Sequence, residues 1–322
     1  MQSEGPDDGR SSDRVLVCNP VSGSGDHVDT VAALADRHGF EIRRTEEAGD
    51  TIRLAREAAP DADLVAAAGG DGTLNAVVNG VAAADALEST TVAVVPAGTG
   101  NNFATNVGVR DLEHAFSVIE EGRRREIDVG WANDRPFVNS CVGGITAEAS
   151  SETTPESKAE LGVLAYVKNT IETVGEFDSL PLRVETAAGP NGERARAWEG
   201  EAMFVLIGNC RRFTGARTAQ ADVEDGLFEV AIVEDAATRE VLGSAALEGL
   251  FGGDSSRIVR RRTPTLSIES RADAVEYSLD GETLETDRLR LETEPGALTV
   301  PVGEAYRSEP DGGELWSLEP TG

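Results

Sequence analysis

Apolar residues recur along this chain in two rhythms. Through the first third, short unbroken apolar runs alternate with segments whose apolar side chains return every three or four positions. The runs are 14–18 (RVLVC), 64–68 (LVAAA) and 91–95 (TVAVV), with a more polar one at 40–45. Runs of that length, bounded by turn residues, read as strands. The segments between them, 26–38, 50–59 and 73–84, read as helices, the second closed by Pro60. This alternation predicts a mostly parallel, doubly wound α/β sheet.

After about residue 126 the rhythm changes. Short strands are predicted at 126–131, 137–142, 182–185, 201–209, 227–233, 265–269, 274–279 and 288–292, with helices only at 160–175 and 238–251. That texture predicts a β-rich second domain, a sandwich. The expected division is a disordered, acidic lead-in at 1–13, an α/β domain at 14–125, a β-sandwich at 126–302 and a frayed Gly/Pro/acidic tail at 303–322.

Charge sharpens this picture. The chain has 58 acidic and 29 basic residues, a formal net charge of −29, and the acids are spread along its length. Only Lys158 and Lys168 are lysines. A disordered chain could be as acidic but would not carry so many periodic apolar segments. The expectation is a folded protein with a strongly acidic surface, as in proteins from extreme halophiles. Such a surface excludes nucleic acid as a partner, because phosphate backbones need a basic face. No apolar run approaches a membrane span and no signal-peptide core precedes residue 14, so a cytoplasmic protein is expected. Cys18, Cys141 and Cys210 lie far apart in apolar stretches and read as buried thiols, not as zinc ligands or disulfides. His27, His38 and His114 have no metal-ligand spacing and read as surface residues.

Three glycine-bearing turns follow predicted strands: 19–25 (NPVSGSG), 69–72 (GGDG) and 98–100 (GTG). In a parallel sheet, turns after the strands converge on its carboxyl edge, where ligands bind. Glycines let backbone N–H groups approach a phosphate, and a helix N-terminus favours negative charge. Asp71 would repel a phosphate directly, so it would act through Mg²⁺ or a metal-bound water. Thr99 could bond a phosphate oxygen. Each turn taken alone is equally a plain strand-to-helix connection, and the Asn19 turn an Asx cap. No lysine follows a glycine in P-loop spacing, the protein-kinase motifs are absent, and G-x-G-x-x-G is not matched.

NPVSG, GGDGTLN and PAGTGNNFA, in this order and spacing, resemble the diacylglycerol kinase catalytic family, which includes bacterial lipid kinases, sphingosine kinases and ceramide kinases. Residues 158–174, the segment 208–233 and the late LDGE at 279–282 are similar to further motifs of that family. The resemblance implies a phosphofructokinase-like nucleotide domain followed by a β-sandwich, with ATP and Mg²⁺ as cofactors and a lipid alcohol as acceptor. By position it implies nucleotide contacts at Asn19, Pro20, Val21, Ser22, Gly23, Thr45, Gly69, Gly70, Asp71, Gly72, Thr73, Leu74, Asn75 and Thr99. It makes Asp280 the general base, although Asp280-Gly281 is equally a hairpin turn. It also implies a structural metal held by Asp222, Asp225 and the carbonyl of Leu227; the same residues could be an acidic turn. Asn102 stands where the family commonly has Asp, which leaves Asp71 and Asp128 for the phosphate-metal network. Gln220 replaces a usual proline, and Thr214-Gly215 a double glycine. The competing expectations are an NAD kinase-type enzyme and a non-catalytic nucleotide-binding regulator. A lipid acceptor implies transient contact with the inner membrane face; the helix at 158–174, which holds both lysines, is expected to pack against the sandwich, with a membrane-facing role as its alternative.

Overall fold

The computed structural model describes residues 13–23, 25–144, 179–212, 219–235 and 258–308, without the side chains at 211, 212, 219 and 220. Strands β1 (Arg14–Cys18), β2 (Glu41–Arg44), β3 (Leu64–Gly69) and β4 (Thr91–Pro96) pair in parallel, in the order β2-β1-β3-β4. Helices α1 (Val28–Arg37), α2 (Asp50–Ala58) and α3 (Asp71–Ala83) make the crossovers. The unbroken apolar runs are strands buried on both faces: every residue of β3 is inaccessible, and Val15, Leu16 and Val17 are wholly covered. Small residues set the layer spacing. A Cβ on Gly80 of α3 would lie 2.5 Å from the Ile52 carbonyl oxygen of α2, so only glycine permits this helix approach.

Two further helices, α4 (Asn102–Asn106) and α5 (Leu112–Glu121), follow β4. Neither is predicted above. The single turn of α4 is too short to show a period, whereas α5 carries a legible start, because Asp111 accepts the His114 N–H at 2.8 Å as an N-cap.

The rest is antiparallel. Its strands are β5 (Arg123–Ala132), β6 (Arg135–Phe137), β7 (Ser140–Gly143), β8 (Leu180–Thr186), β9 (Arg196–Gly208), β10 (Arg211–Arg212), β11 (Ala219–Gln220), β12 (Phe228–Glu234), β13 (Ile258–Thr263), β14 (Thr265–Ser270), β15 (Val275–Leu279), β16 (Glu282–Thr286) and β17 (Arg288–Val302). Apart from the β10-β11 ribbon they form one eleven-stranded, sandwich-like sheet in the order β16-β15-β7-β9-β8-β14-β17-β5-β6, with β12 and β13 branching from β9. The α/β domain followed by an antiparallel sandwich-like sheet is the fold class expected from the sequence.

The two layers share a pair of strands. β5 and β17 pair along most of their lengths, and their register shifts between Glu294 and Leu298. Leu298, Val300, Val302 and Ile127, beyond this bulge, join the α/β core together with Val129, which pairs with Glu294 at its edge; Leu289, Leu291 and Ala132 join the sandwich core. The chain therefore changes character inside a strand, not at a linker between domains.

A buried carboxylate holds that crossing. Asp128, 1% exposed, accepts the Gly296 N–H of the bulge at 2.9 Å and the Gly226 N–H at 2.7 Å. Burial, with the charges of Asp222 and Glu224 adding to it, raises the Asp128 carboxyl to about 6 against the pull of those two N–H groups. Nearby, burial and the Asp222 and Asp128 charges raise Asp225 to about 7, although the Arg262 guanidinium and the Leu227 N–H favour its ionised form.

Some expectations are corrected. Residues 303–308 are packed, not frayed: Tyr306 is 3% exposed, its hydroxyl donates to Glu224 at 2.6 Å, and the Gly303 N–H reaches the Val107 carbonyl. The three histidines are half-buried and engaged: His27 with the Asn19 carbonyl, His38 stacked on Phe116, and His114 against Glu304. The segment predicted as one strand at 137–142 is broken into β6 and β7. The predicted helices at 160–175 and 238–251, and Thr214-Gly215, lie outside the described residues, as does the Gln220 side chain. Cys18, Cys141 and Cys210 are buried and form no disulfide. Among the described residues, no helix is long and apolar enough to cross a membrane.

Asp128→Ala would orphan two backbone N–H groups at about 1–3 kcal/mol each. A loss of about 3 kcal/mol in urea unfolding at pH 7 is expected. The raised carboxyls of Asp128 and Asp225 bind protons in the folded chain before the unfolded one does. Their contribution is fully present below about pH 4 and is lost as pH rises through about 6–7. Asp50 and Glu304, both lowered to about 2, act oppositely and lose their contribution only below about pH 4. Unfolding free energy measured across pH should therefore peak near about pH 4 and decline as pH rises toward 7.

Candidate functional site

The three glycine-bearing loops meet at the carboxyl edge of the parallel sheet, locked by backbone contacts. The Asn19 N–H reaches the Ala68 carbonyl at 3.1 Å, the Ala97 N–H the Gly69 carbonyl at 3.0 Å, and the Asp71 N–H the Gly100 carbonyl at 3.1 Å. A Cβ on Gly98 would lie 2.3 Å from the Gly70 Cα, and one on Gly23 2.9 Å from the Ala97 carbonyl oxygen. Glycine is required at Gly98 because two backbones touch there. The Thr73 hydroxyl stands 3.5 Å from both the Asn19 amide nitrogen and the Ser22 hydroxyl, which gives the first and second loops one shared polar face. Asn19 also takes the Val21 N–H at 3.2 Å in the Asx turn that the plain reading of this loop expects.

The predicted nucleotide residues divide by placement. Gly72, Val21, Gly23 and Thr99 are exposed, and Asn19, Pro20, Ser22, Thr45, Gly70 and Asp71 are partly so; Gly69 is covered. The Thr45 N–H is bound to the Cys18 carbonyl, which fixes Thr45 beside the Asn19 loop. Thr73 is 6% exposed. Leu74 and Asn75 are 1% and 2% exposed; the first packs in the α/β core, and the second takes a hydrogen bond from Asn79 within α3.

Asp71 is more constrained than a free metal-facing carboxylate. It accepts the Asn102 N–H, the Asn102 side-chain amide and the Phe103 N–H, each at 2.9 Å. It thereby caps the start of α4 and ties the second loop to the third. Asn102 is a donor to Asp71 where a carboxylate would be a like charge at contact distance. The Asp71 oxygens retain lone pairs after these three bonds. Asp128, by contrast, is committed to Gly226 and Gly296 and belongs to the strand crossing, which corrects its assignment to the phosphate network.

Asp280 sits in the two-residue turn between β15 and β16, with φ of +50° at Asp280 and +100° at Gly281. Positive φ at both positions is the type I′ hairpin turn, and Asp tolerates it better than most residues. The carboxylate accepts three consecutive backbone N–H groups, from Val138 at 2.7 Å, Asn139 at 3.0 and 3.1 Å, and Ser140 at 2.7 Å. Its own N–H returns to the Ser140 carbonyl at 3.0 Å. Burial raises the Asp280 carboxyl to about 6 against those three N–H groups, and the charge of Asp71 pushes it the same way. The Asn139 side-chain oxygen is buried with no hydrogen-bond partner, which leaves an acceptor open beside this cradle.

The residues expected to hold a structural metal lie in one turn. Asp222 accepts the Glu224 N–H at 3.1 Å; Asp225 accepts the Leu227 N–H at 2.9 Å and pairs through its other oxygen with Arg262. A guanidinium thus already supplies positive charge to Asp225, and a cation there would have to displace it. Among the described residues, no group of three or more His, Cys, Asp or Glu side chains is arranged to hold a metal ion.

Sequence reasoning missed the donors at 138–140, the Asn102–Asp71 clasp and the Asn79 amide. Backbone N–H groups leave no side-chain signature. Asn79 was open to view, four residues after Asn75 on one helix face.

Comparison with known proteins agrees with this fold. Residues 13–132 match the diacylglycerol kinase catalytic domain, and 139–302 match the YegS C-terminal NAD kinase beta sandwich-like domain. A Pseudomonas putida protein named "Probable lipid kinase YegS-like" is 35% identical over 277 residues, covering 84% of this chain and 88% of its own. A Pseudomonas aeruginosa protein of the same name is 33% identical over 308 residues, covering 92% and 98%. A crystal structure from Bacillus anthracis, put forward as a diacylglycerol kinase, superposes with a TM-score of 0.76 at 25% identity, covering 95% of this chain and all of that one. With both domain models matched in order and relatives aligned along nearly the whole length, this chain belongs to the YegS-like lipid kinases of the diacylglycerol kinase catalytic family.

Proposed function

We propose that the chain transfers the γ-phosphoryl group of ATP to the hydroxyl of a diacylglycerol-like lipid alcohol, with Asp280 as general base. The observation that carries this reading is the Asp280 carboxylate, held on three backbone N–H groups and within electrostatic reach of Asp71 at the glycine loops. The loops offer N–H groups and the start of α3 to the phosphates. Mg²⁺ bound with the nucleotide would offset phosphate charge, and Asp71, whose oxygens keep lone pairs, would be the residue to hold it. The acceptor O–H gives its proton to Asp280 as its oxygen bonds the γ-phosphorus. The bond from that phosphorus to the β,γ-bridging oxygen breaks, and ADP leaves with the electron pair. A carboxyl raised to about 6 is a stronger base than an ordinary aspartate and is still ionised at pH 7.

A lipid acceptor must be taken from a bilayer surface, so the enzyme works as a transient peripheral protein. Its net charge of −29 makes that approach dependent on salt when the lipids are anionic. The NAD kinase-like character of the second domain favours NAD as an alternative acceptor; the relatives that span both domains favour a lipid.

Incubation with γ-labelled ATP, Mg²⁺ and either dioctanoylglycerol, a total lipid extract or NAD separates these readings. Label is expected in the organic phase. Label in NADP would replace the lipid reading, and label in neither would leave a nucleotide-binding regulator. Asp280→Asn should lower turnover by about a thousandfold or more, at the scale of a positioned base and its orientation, while nucleotide binding persists; wild-type turnover in this variant would remove Asp280 from the mechanism. Gly98→Ala should weaken ATP binding at least about tenfold, or 1.4 kcal/mol, by prising the second and third loops apart. Equilibrium titration with a fluorescent ATP analogue checks it.

A further inference from the structure

Helix α3 begins at the phosphate-binding loop and runs away from it. Eight residues after Asp71, about 12 Å along the axis, it presents Asn79 to the other layer. The Asn79 amide nitrogen has two hydrogens and three acceptors in range: the Asn75 carbonyl at 2.8 Å, the Asn75 side-chain oxygen at 3.2 Å and the Pro136 carbonyl at 3.2 Å. The first two lie on its own helix; the third lies on β6. Pro136 is two residues before Val138, the first donor to Asp280. The same short strand is fastened to the hairpin that carries Asp280, because Arg135 donates to the Thr283 carbonyl at 3.1 Å. Segment 135–140 is therefore held at three points: to the β15-β16 hairpin by Arg135, to α3 by Asn79, and to the Asp280 carboxylate by its own N–H groups.

We propose that Asn79 is a positioning residue that fixes the distance between the phosphate-holding start of α3 and the Asp280 carboxylate. The proposal rests on the phosphoryl-transfer reading above. The glycine loops and the proposed base belong to different layers. Their relative placement depends on contacts that cross the junction, of which the Asn79–Pro136 bond attaches at both ends to elements of the site. Turnover depends steeply on such placement, since an error of about 1 Å can cost about a hundredfold. An ordinary packing contact would serve stability as well; a hydrogen bond to a carbonyl two residues from the cradle also fixes direction. Asn75, 2% exposed, holds the Asn79 amide in place through its own oxygen.

Two variants test this. Asn79→Ala removes the amide; Asn79→Asp keeps the shape but loses the donor. In both, turnover is expected to fall about tenfold or more, while affinity for a fluorescent ATP analogue stays within about twofold, on that same premise that placement rather than binding is lost. Hydrogen–deuterium exchange supplies a readout independent of catalysis. The amides of Val138, Asn139 and Ser140 should exchange faster in both variants, with those of Leu74, Val77 and Val78 in α3 unchanged. Unaltered exchange at 138–140, or wild-type turnover in either variant, would overturn the proposal. Exchange or melting changes spread evenly over α3 and the sheet would also overturn it, by showing a purely structural residue. If exchange changes at 138–140 as expected but wild-type enzyme transfers no phosphoryl group, the tether stands and the functional reading fails.

Discussion

Capture of three successive backbone N–H groups by the Asp280 carboxylate is the interaction around which the junction is organised. Segment 137–142 is apolar enough to form one continuous strand, and its pattern predicts one. The carboxylate draws the N–H groups of Val138, Asn139 and Ser140 away from any ladder, and the strand divides into β6 and β7. β6 can then pair with β5 and touch α3, while β7 pairs with β9 and β15. A single buried charge thereby directs where two strands go. The alternatives for Asp280-Gly281, hairpin turn or catalytic base, are not exclusive. The turn requires positive φ at both positions, Asp and Gly meet that requirement, and the Asp side chain remains free to bind the neighbouring strand.

The same device recurs on this very acidic chain. Asp71, Asp128 and Asp280 all occupy covered or partly covered positions, and each is satisfied by N–H donors instead of a lysine or arginine. Only two lysines exist to choose from, and backbone N–H groups are available wherever a loop bends. Their geometry is also fixed by the fold, so a carboxylate so held cannot wander as an ion pair of long side chains can. Two of the three carry raised pKa values because burial outweighs the donors. Asp225 takes the other route, with Arg262 opposite it.

Legibility in the sequence followed this physics. The parallel sheet could be read within a residue or two, because buried strands must be apolar throughout and α3 must follow a glycine turn. The three glycine-bearing loops could be read because close backbone approach requires glycine, and glycine is visible. β16 and α4 were missed: the first is largely solvent-facing, and the second is one turn long. Asp128 was read as a site residue because a carboxylate after a strand carries the same letter whether it meets a phosphate or a bulge. The donors at Gly226 and Gly296 decide between these, and no side chain announces them.

Asn102 shows how a departure from a family pattern can be consistent with the site. Read as a lost carboxylate, it weakens a metal network. In the structure its amide donates to the same Asp71 oxygen that takes its own backbone N–H, and Phe103 N–H takes the other. An Asp at 102 would instead bring a second negative charge against Asp71, itself within reach of Asp280, and three carboxylates in one junction would depend on added cations to stay ionised. With Asn102, Asp71 is oriented by neutral donors before any nucleotide arrives. The substitution therefore exchanges a charge beside Asp71 for a preformed loop geometry.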